Sequence, residues 1–266
     1  MIFHYDIVEL QPYINWVYFY HAWQVRQPEE QQRMRTEAEA FLKEHAARYQ
    51  AHAVFLLSDA RSDGDDIVLD GGARLPMLRQ QQVGSDHLCM ADFISPVASK
   101  IGLFATSVDK GMETDFDGDP YQKMMAQLLA DRLAEATAER LHERVRKELW
   151  GYAQDEHLLM DDMLQERFQG IRPAVGYPSL PDASINFILN DLLHMQDIGI
   201  TLTESGAMRP HASVSGLMMA HPQARYFAVG TIGNDQLTDY ARRRGLPVEV
   251  MRKFLSSNLS PLAPNP

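Results

Sequence analysis

Apolar side chains recur at every fourth position between residues 120 and 150, and this is the strongest periodic pattern in the chain. The positions on this stripe are Met125, Leu129, Leu133, Thr137, Leu141, Val145 and Leu149. Steps of four residues place side chains on one face of an α-helix. Asp119 followed by Pro120 is typical of an N-cap and a first helical position, and Gly151 is suited to ending a helix. The pattern therefore predicts one long helix with an apolar stripe along it.

Shorter patterns predict the remaining elements. Apolar and β-branched runs predict strands at 3–10, 54–57, 67–69, 88–94, 101–108, 202–205, 214–219 and 224–230. Helical spacing predicts helices at 28–49, 161–168, 181–196, 235–244 and 248–255. Because strands and helices do not alternate regularly, an α+β fold with an antiparallel sheet is favoured over a doubly wound sheet. We expect one domain over residues 1–258 and a disordered, proline-rich tail over residues 259–266.

Composition narrows the classes of protein and partner. The 266 residues are 45% hydrophobic and carry a formal net charge of −11, which argues against a nucleic-acid partner because phosphates are bound by clustered Lys and Arg. The single cysteine, Cys89, lies in an apolar run and is expected to be a buried side chain rather than a nucleophile. Neither a signal peptide nor a membrane-spanning run is evident. A cytoplasmic protein without a membrane partner is therefore expected.

The segment from Gly170 to Pro178, G-I-R-P-A-V-G-Y-P, is the most constrained stretch of the sequence. Its two prolines fix their own φ angles and favour extended conformations at the preceding residues, Arg172 and Tyr177. Arg172 can bind a carboxylate through two parallel hydrogen bonds, and Tyr177 can stack on a flat ring or donate its hydroxyl. The residue types alone leave two interpretations open. The loop is either a binding site for a ligand with those groups or a proline-rich connector with a surface arginine.

Ordered motifs along most of the chain accompany this loop. They are YINW at 13–16, ADFI at 91–94, DRLAEA at 131–136, HERVRK at 142–147, WGY at 150–152, LTES at 202–205, ASVSG at 212–216, HP at 221–222 and DYARR at 239–243. Together with R-P-x-x-G-Y-P at 172–178, they resemble the activation domain of cobalamin-dependent methionine synthase, which binds S-adenosylmethionine. The resemblance implies a C-shaped α+β domain with bent antiparallel strands and long helices.

The resemblance also implies a ligand site. Its positions in this chain are Asn15, Glu135, Arg172, Ala174, Gly176, Tyr177, Tyr226 and Phe227. The family usually carries aspartate where Asn15 stands, and an amide keeps an acceptor oxygen but has no charge, so an ammonium group would be held less firmly. Core packing is an equal alternative for the aromatic pair at 226–227, and a solvated surface position is an equal alternative for Glu135.

Two further departures from the family concern the segments around the site. Where the family often has a cysteine and a histidine after G-Y-P, this chain has Ser179, Leu180, Asp182 and Ala183. Where it often has bulky aromatic residues, this chain has Leu217, Met218 and Met219. These departures indicate either a different docking surface or a site that has lost its ligand.

The chain contains no Ser-His-Asp order, H-E-x-x-H, C-x-x-C or P-loop, and so no catalytic constellation of its own. The resemblance implies an S-adenosylmethionine-binding activation subunit of a split methionine synthase, which supports reductive remethylation of cobalamin and is not catalytic alone. Cobalamin would then be held by a partner protein, with a flavodoxin-like protein as a candidate reductant. The alternative is a non-enzymatic binding module that kept the fold and lost S-adenosylmethionine.

Overall fold

The fold is described here from a computed structural model that covers residues 1–259. Its strands are β1 (Ile2–Asp6), β2 (Gln50–Asp63), β3 (Asp66–Leu69), β4 (Arg74–Pro76), β5 (Ser99–Val108), β6 (Thr201–Leu202), β7 (Met208–Arg209) and β8 (Ser213–Met218). Its helices are α1 (Ile7–Leu10), α2 (Trp16–Ala22), α3 (Pro28–His45), α4 (Gly111–Thr114), α5 (Pro120–Arg144), α6 (Met160–Leu164), α7 (Ile185–Leu193), α8 (Asn234–Arg244) and α9 (Val248–Phe254). A π-helical turn, Val145–Leu149, continues α5.

A curled antiparallel sheet organises these elements. Its strand order is β4-β3-β2-β5-β8, and β1 also pairs with β2. The 14-residue strand β2 pairs with β1 through residues 50–54 and with β3 through residues 60–63, so successive parts of one long strand have different partners. All pairings among the named strands are antiparallel. The predicted α+β class with an antiparallel sheet and long helices is confirmed.

Helices cover both faces of the sheet because its central strands are apolar on both sides. On β5, Phe104 packs with α1, α2, α3 and α5, whereas Leu103 and Ala105 pack on the opposite face with α7. A third apolar cluster joins α8 and α9 to Leu78. The sheet is therefore the central layer, and α5 crosses β2, β5 and β8 on one side of it.

The long helix predicted from the i+4 stripe is confirmed in α5. The Asp119 carboxylate accepts hydrogen bonds from the backbone N–H groups of Tyr121 and Gln122, which is the expected N-cap. The only polar member of the stripe, Thr137, is fully buried and donates its hydroxyl hydrogen bond to the Leu133 carbonyl within the helix. A helix anchored along its whole length can hold the polar side chains of its other face in fixed positions.

Two predicted strands are wrong, and of the strand predicted at 202–205 only Leu202 lies in a strand. The apolar run at 88–94 forms a 3-10 turn, Met90–Phe93, because the Asp92 carboxylate accepts from the Cys89 amide and satisfies the backbone locally. Residues 224–230 are irregular, because the backbone groups of Phe227 and Val229 bond to residues 178–179 and those of Ala228 and Gly230 bond to side chains rather than to a strand. Cys89 is fully buried, as predicted, and burial raises the pKa of its thiol to about 12.

The predicted chain ends differ in detail. The first strand stops at Asp6, and residues 7–10 form helix α1, whose Ile7 and Leu10 are buried. Of the predicted tail, Leu259 forms an isolated bridge with Ile232, and residues 260–266 lie outside the described residues.

Candidate functional site

A cavity of about 720 Å³ opens beside the G-I-R-P-A-V-G-Y-P loop, between α5 and the segments that follow α6 and β8. Its lining residues are Tyr13, Asn15, Tyr18, Arg132, Glu135, Glu139, Leu164, Gln165, Glu166, Arg172, Pro173, Ala174, Tyr177, Pro178, Ser179, Val214, Tyr226 and Phe227. Seven of the eight predicted site residues are in this set, and Gly176 is not. The sequence therefore predicted residues that the fold brings together from four separate segments.

Residues 171–174 of the loop are extended, as predicted, because they pair with β8, whereas residues 175–178 form a turn and depart from the predicted extended course. Ile171 and Met219 exchange backbone hydrogen bonds of 2.9 and 3.0 Å, and Leu217 donates to the Pro173 carbonyl. Ala174 forms a bridge with Gly216, where a Cβ would overlap the carbonyl oxygen of Pro173. Glycine at 216 is therefore required for the loop to lie this close to the strand.

Arg172 projects from this loop into a buried ion pair. Its Nη2 donates to Glu139 Oε2 at 2.7 Å, and the two side chains are only 10% and 9% exposed. Burial opposes the charged form, but Glu139 holds the pKa of the guanidinium above its ordinary value. The sequence predicted a fork free for a ligand carboxylate. The fold instead pairs Nη2 with a protein carboxylate and Nη1 with His142, so within residues 1–259 Nε is the guanidinium nitrogen without a hydrogen-bond partner.

His142 holds the other arm of Arg172. The guanidinium Nη1 lies 3.2 Å from His142 Nδ1, and since a guanidinium can only donate, Nδ1 is the acceptor. The imidazole proton is then on Nε2, which donates to the Tyr152 hydroxyl at 3.2 Å. Burial, and then the nearby charges of Arg172 and Arg146, lower the pKa of His142 well below its usual value. A neutral histidine therefore positions the arginine.

Direct hydrogen bonds connect further pairs of predicted site residues. The Tyr177 hydroxyl donates to Glu135 Oε1 at 2.9 Å, and the Tyr226 hydroxyl accepts from the Arg172 amide at 2.9 Å. Burial, followed by the charge of Glu135, raises the pKa of Tyr177 to about 12, so the phenol remains protonated. Two aromatic rings are thus fixed at the cavity through their hydroxyl groups.

The other predicted residues have clear positions. Asn15 lines the cavity and is also the N-cap of α2, since its Oδ1 accepts from the Val17 amide at 3.2 Å. Phe227 lies in the lining, 6.4 Å from the Phe93 ring. Gly176 has a φ of 89° and open space around it, so its role is the turn that precedes Tyr177 and not close approach.

Several cavity residues were missed by the sequence analysis. Charged side chains in the lining come from Arg132, Glu139 and Glu166. The Arg132 guanidinium carbon lies over the Tyr18 ring, 5.6 Å from the ring centre. Burial raises the pKa of Glu166. A signal for part of this set was present: residues 132, 135, 139, 142 and 146 are polar and recur every three or four positions on the most strongly predicted helix.

The departures from the family motifs lie in the interior. Met218 and Met219 are fully buried, so their side chains do not themselves form a docking surface. Ser179 accepts from the Phe227 amide and donates to its carbonyl, and it thereby fastens the aromatic segment to the loop. Of the positions that depart from the family motifs, Ser179 lines the cavity.

A second, smaller cavity of about 300 Å³ lies beside β1 and β2 and includes His4, His52 and Asp109. Across residues 1–259, no group of three or more His, Cys, Asp or Glu side chains is arranged to bind a metal ion. In the same residues, none of the helices combines the length and the apolar character that crossing a membrane requires. The larger cavity is therefore the candidate site.

Comparison with known proteins identifies what this arrangement resembles. The family model described as "Vitamin B12 dependent methionine synthase, activation domain" matches residues 6–245. A solved structure described as the crystal structure of the MetH reactivation domain bound to AdoHcy superposes with a TM-score of 0.93. Its sequence is 36% identical, and the match covers 98% of this chain and 90% of that one.

Proposed function

Because this chain belongs to the activation-domain family of vitamin B12 dependent methionine synthase, we propose that its cavity binds S-adenosylmethionine. The observation that carries this proposal is the similarity to a reactivation domain bound to AdoHcy. AdoHcy is S-adenosylmethionine without the transferred methyl group. The two molecules therefore present the same adenosine and the same α-amino acid to a binding site.

The cavity residues suit such a ligand. Arg172 offers a buried cation to a carboxylate, and the rings of Tyr177, Tyr226 and Phe227 offer flat apolar faces to an adenine. A volume of about 720 Å³ falls in the range of roughly 300–1,000 Å³ that is typical of small-molecule sites. We assign ligand contacts to these residues and to Asn15, Glu135 and Ala174, with Gly176 supporting the turn.

We further propose that the bound chain supports reductive remethylation of cobalamin on a partner protein, as the activation subunit of a split methionine synthase. S-adenosylmethionine supplies the methyl group, and a flavodoxin-like protein supplies the electron. The residues of this chain bind the methyl donor, orient it and present it to the partner, so the chain is not catalytic alone. The cytoplasm is the proposed location, since the buried Cys89 needs no disulfide partner.

One specific observation favours a second candidate function. Asn15 lacks the negative charge of the aspartate that the family usually has there, and its amide oxygen already caps α2. A chain that kept the fold as an interaction module and lost the ligand would have this feature. That candidate predicts no binding of S-adenosylmethionine or AdoHcy.

Calorimetric titration with AdoHcy separates the two candidates and tests Arg172. A hydrogen bond to a charged group contributes about 1.5–3 kcal/mol, so Arg172→Ala should weaken binding by about one to two orders of magnitude. Arg242→Ala is the matched control, since that arginine is exposed and pairs with Asp239 on α8, outside the cavity lining. Absence of binding to the wild type would remove the proposed function, and an unchanged Kd in Arg172→Ala would remove the arginine from the site.

Reconstitution tests the remethylation role. The chain is mixed with a cobalamin-bearing methionine synthase that lacks its own activation domain, together with a reductant and S-adenosylmethionine, and the cobalamin absorbance is followed. We expect methylcobalamin only in the complete mixture. Methyl transfer by this chain alone, or no effect on a partner from the same organism, would contradict the proposal.

A further inference from the structure

One carboxylate oxygen in the cavity wall has no hydrogen-bond partner. Glu139 on α5 is 7% exposed, and its Oε2 accepts from Arg172. Its Oε1 is buried and receives no hydrogen bond within residues 1–259. A buried carboxylate oxygen without a donor is unfavourable, because the water that solvated it has not been replaced. The structure therefore contains an acceptor for which the protein supplies no donor.

Within residues 1–259, the neighbouring groups do not donate a hydrogen bond to Glu139 Oε1. The second arm of Arg172 is directed to His142, which accepts from it. Glu135, one helical turn earlier on α5, differs from Glu139 because its Oε1 already receives the Tyr177 hydroxyl. Glu166 brings a further acceptor to the same cavity and no donor, unless it is protonated. Among residues 1–259, every group bonded to Glu139 or Arg172 is already engaged, which leaves Glu139 Oε1 open to a donor from outside the protein.

We propose that Arg172 and Glu139 act as one unit that binds both charges of an α-amino acid, the guanidinium holding its carboxylate and Glu139 Oε1 its ammonium group. This inference rests on the proposed function, in which the ligand combines adenosine with an α-amino acid. Arg172 Nη2 and Glu139 Oε2 lie 2.7 Å apart. The ammonium and carboxylate of an α-amino acid are attached to one carbon, so they are separated by a distance similar to that between the Arg172 and Glu139 charges. The ligand carboxylate would then face Arg172 and the ligand ammonium would face Glu139, and all four charges are compensated.

This arrangement accounts for the neutral residue at position 15. The Asn15 side-chain oxygen is engaged with the Val17 amide, and the side chain has no charge to offer an ammonium group. Glu139 supplies a negative charge from a rigid helix instead. The ion pair between Glu139 and Arg172 also neutralises the arginine when no ligand is bound, which avoids a buried, uncompensated cation.

Three ligands and one conservative variant test the inference by calorimetry. The ligands are AdoHcy, its analogue without the α-amino group, and 5′-methylthioadenosine, which lacks the whole amino acid. Glu139→Gln removes the charge and keeps the shape, and Glu148→Gln on the same helical segment is the control, because that glutamate is 59% exposed. We expect Glu139→Gln to weaken AdoHcy about 10-fold or more and to leave 5′-methylthioadenosine unchanged.

The wild type should also discriminate against the analogue without the amino group, and Glu139→Gln should lose that discrimination. Wild-type binding with an unchanged AdoHcy affinity in the variant would overturn this inference alone. An equal loss for all three ligands would also overturn it, because it would indicate a purely structural role. No AdoHcy binding by the wild type would overturn the proposed function and this inference together. If Glu139→Gln does not fold, Glu139→Asp retains the charge at a shorter reach and should weaken only AdoHcy and not 5′-methylthioadenosine.

Discussion

Individual residues in the cavity both face the ligand site and hold a neighbouring residue in position. Substituting one of them therefore changes ligand contacts and local structure together. Arg172 is available to a ligand, and its direction is set by Glu139 and His142. Tyr226 presents a ring to the cavity, and its hydroxyl accepts from the Arg172 amide. Variants that preserve the shape of a side chain are therefore more informative at these positions than alanine.

Asn15 provides one such test. Asn15→Asp keeps an acceptor oxygen for the α2 N-cap and adds a negative charge beside the cavity. If position 15 faces the ammonium or sulfonium of the ligand, S-adenosylmethionine should bind more tightly to the variant, and its affinity should fall more steeply with salt. Calorimetry at low and high ionic strength measures both effects. Identical affinities at each salt concentration would exclude position 15 from charge recognition.

The lowered pKa of His142 should make the free energy of unfolding depend on pH. Burial and two neighbouring arginines hold its pKa well below 6.5, whereas an exposed histidine in the unfolded chain titrates near 6.5. Below that pH the unfolded chain takes up a proton that the folded chain refuses, so stability should be lost as the pH falls, by at most about 1.4 kcal/mol per pH unit from this group. The contribution is fully present above pH 6.5.

Denaturant unfolding between pH 7.5 and 5 tests this dependence. His142→Gln should have a flatter profile over that range, because glutamine can accept from Arg172 and donate to Tyr152 without titrating. Parallel profiles for the two proteins would show that His142 does not contribute to the acid sensitivity.

At the scale of elements, the cavity depends on the contact between the binding loop and β8. The loop forms isolated bridges with β8, the strand at one edge of the sheet. These backbone hydrogen bonds fix the directions of the Arg172 and Tyr177 side chains. Helix α5 provides the facing wall with Arg132, Glu135 and Glu139, which are spaced for one side of a helix. The site is thus formed by two rigid elements that approach each other.

Gly216→Ala tests this contact. A methyl group at 216 would overlap the Pro173 carbonyl, so the loop must move away from β8. We expect a loss of about 1–3 kcal/mol in unfolding free energy, together with weaker AdoHcy binding. Gly118→Ala is the control, because its added methyl group meets no atom within 4 Å and its φ is not in the left-handed region. Equal stability for the two variants would mean that the loop can accommodate the methyl group without cost.

At the scale of the whole molecule, charge and linkage govern the proposed partnership. The net charge of −11 favours a partner surface that is less acidic, so association should weaken as salt is added. If docking covers the bound ligand, S-adenosylmethionine should strengthen the affinity for the cobalamin-bearing partner. Linkage then requires the partner to tighten S-adenosylmethionine binding by the same factor.

Paired titrations measure this coupling. Partner affinity is determined with and without S-adenosylmethionine, and S-adenosylmethionine affinity with and without the partner. Two equal factors above one are expected. A factor of one in both titrations would show that the ligand and the partner bind independently, and would contradict docking over the cavity.

The sequence by itself determined the elements whose patterns are local. The i+4 stripe and Asp119 predicted α5, because helix periodicity and capping depend on neighbours in the chain. The prolines of the binding loop predicted the extended course of residues 171–174, since they restrict φ whatever surrounds them. The family motifs then indicated seven residues that line one cavity.

Only the tertiary structure decided the long-range pairings. Residues 224–230 have the composition of a strand, yet the backbone groups of Phe227 and Val229 bond to the loop near Ser179, because those are the partners that the fold brings within reach. Glu139 was predicted to lie on the long helix, but the sequence did not indicate its burial or its ion pair with Arg172. These require two segments 33 residues apart in sequence to meet. Spacing along one helix indicates which side chains share a face, and only packing determines which charge that face will meet.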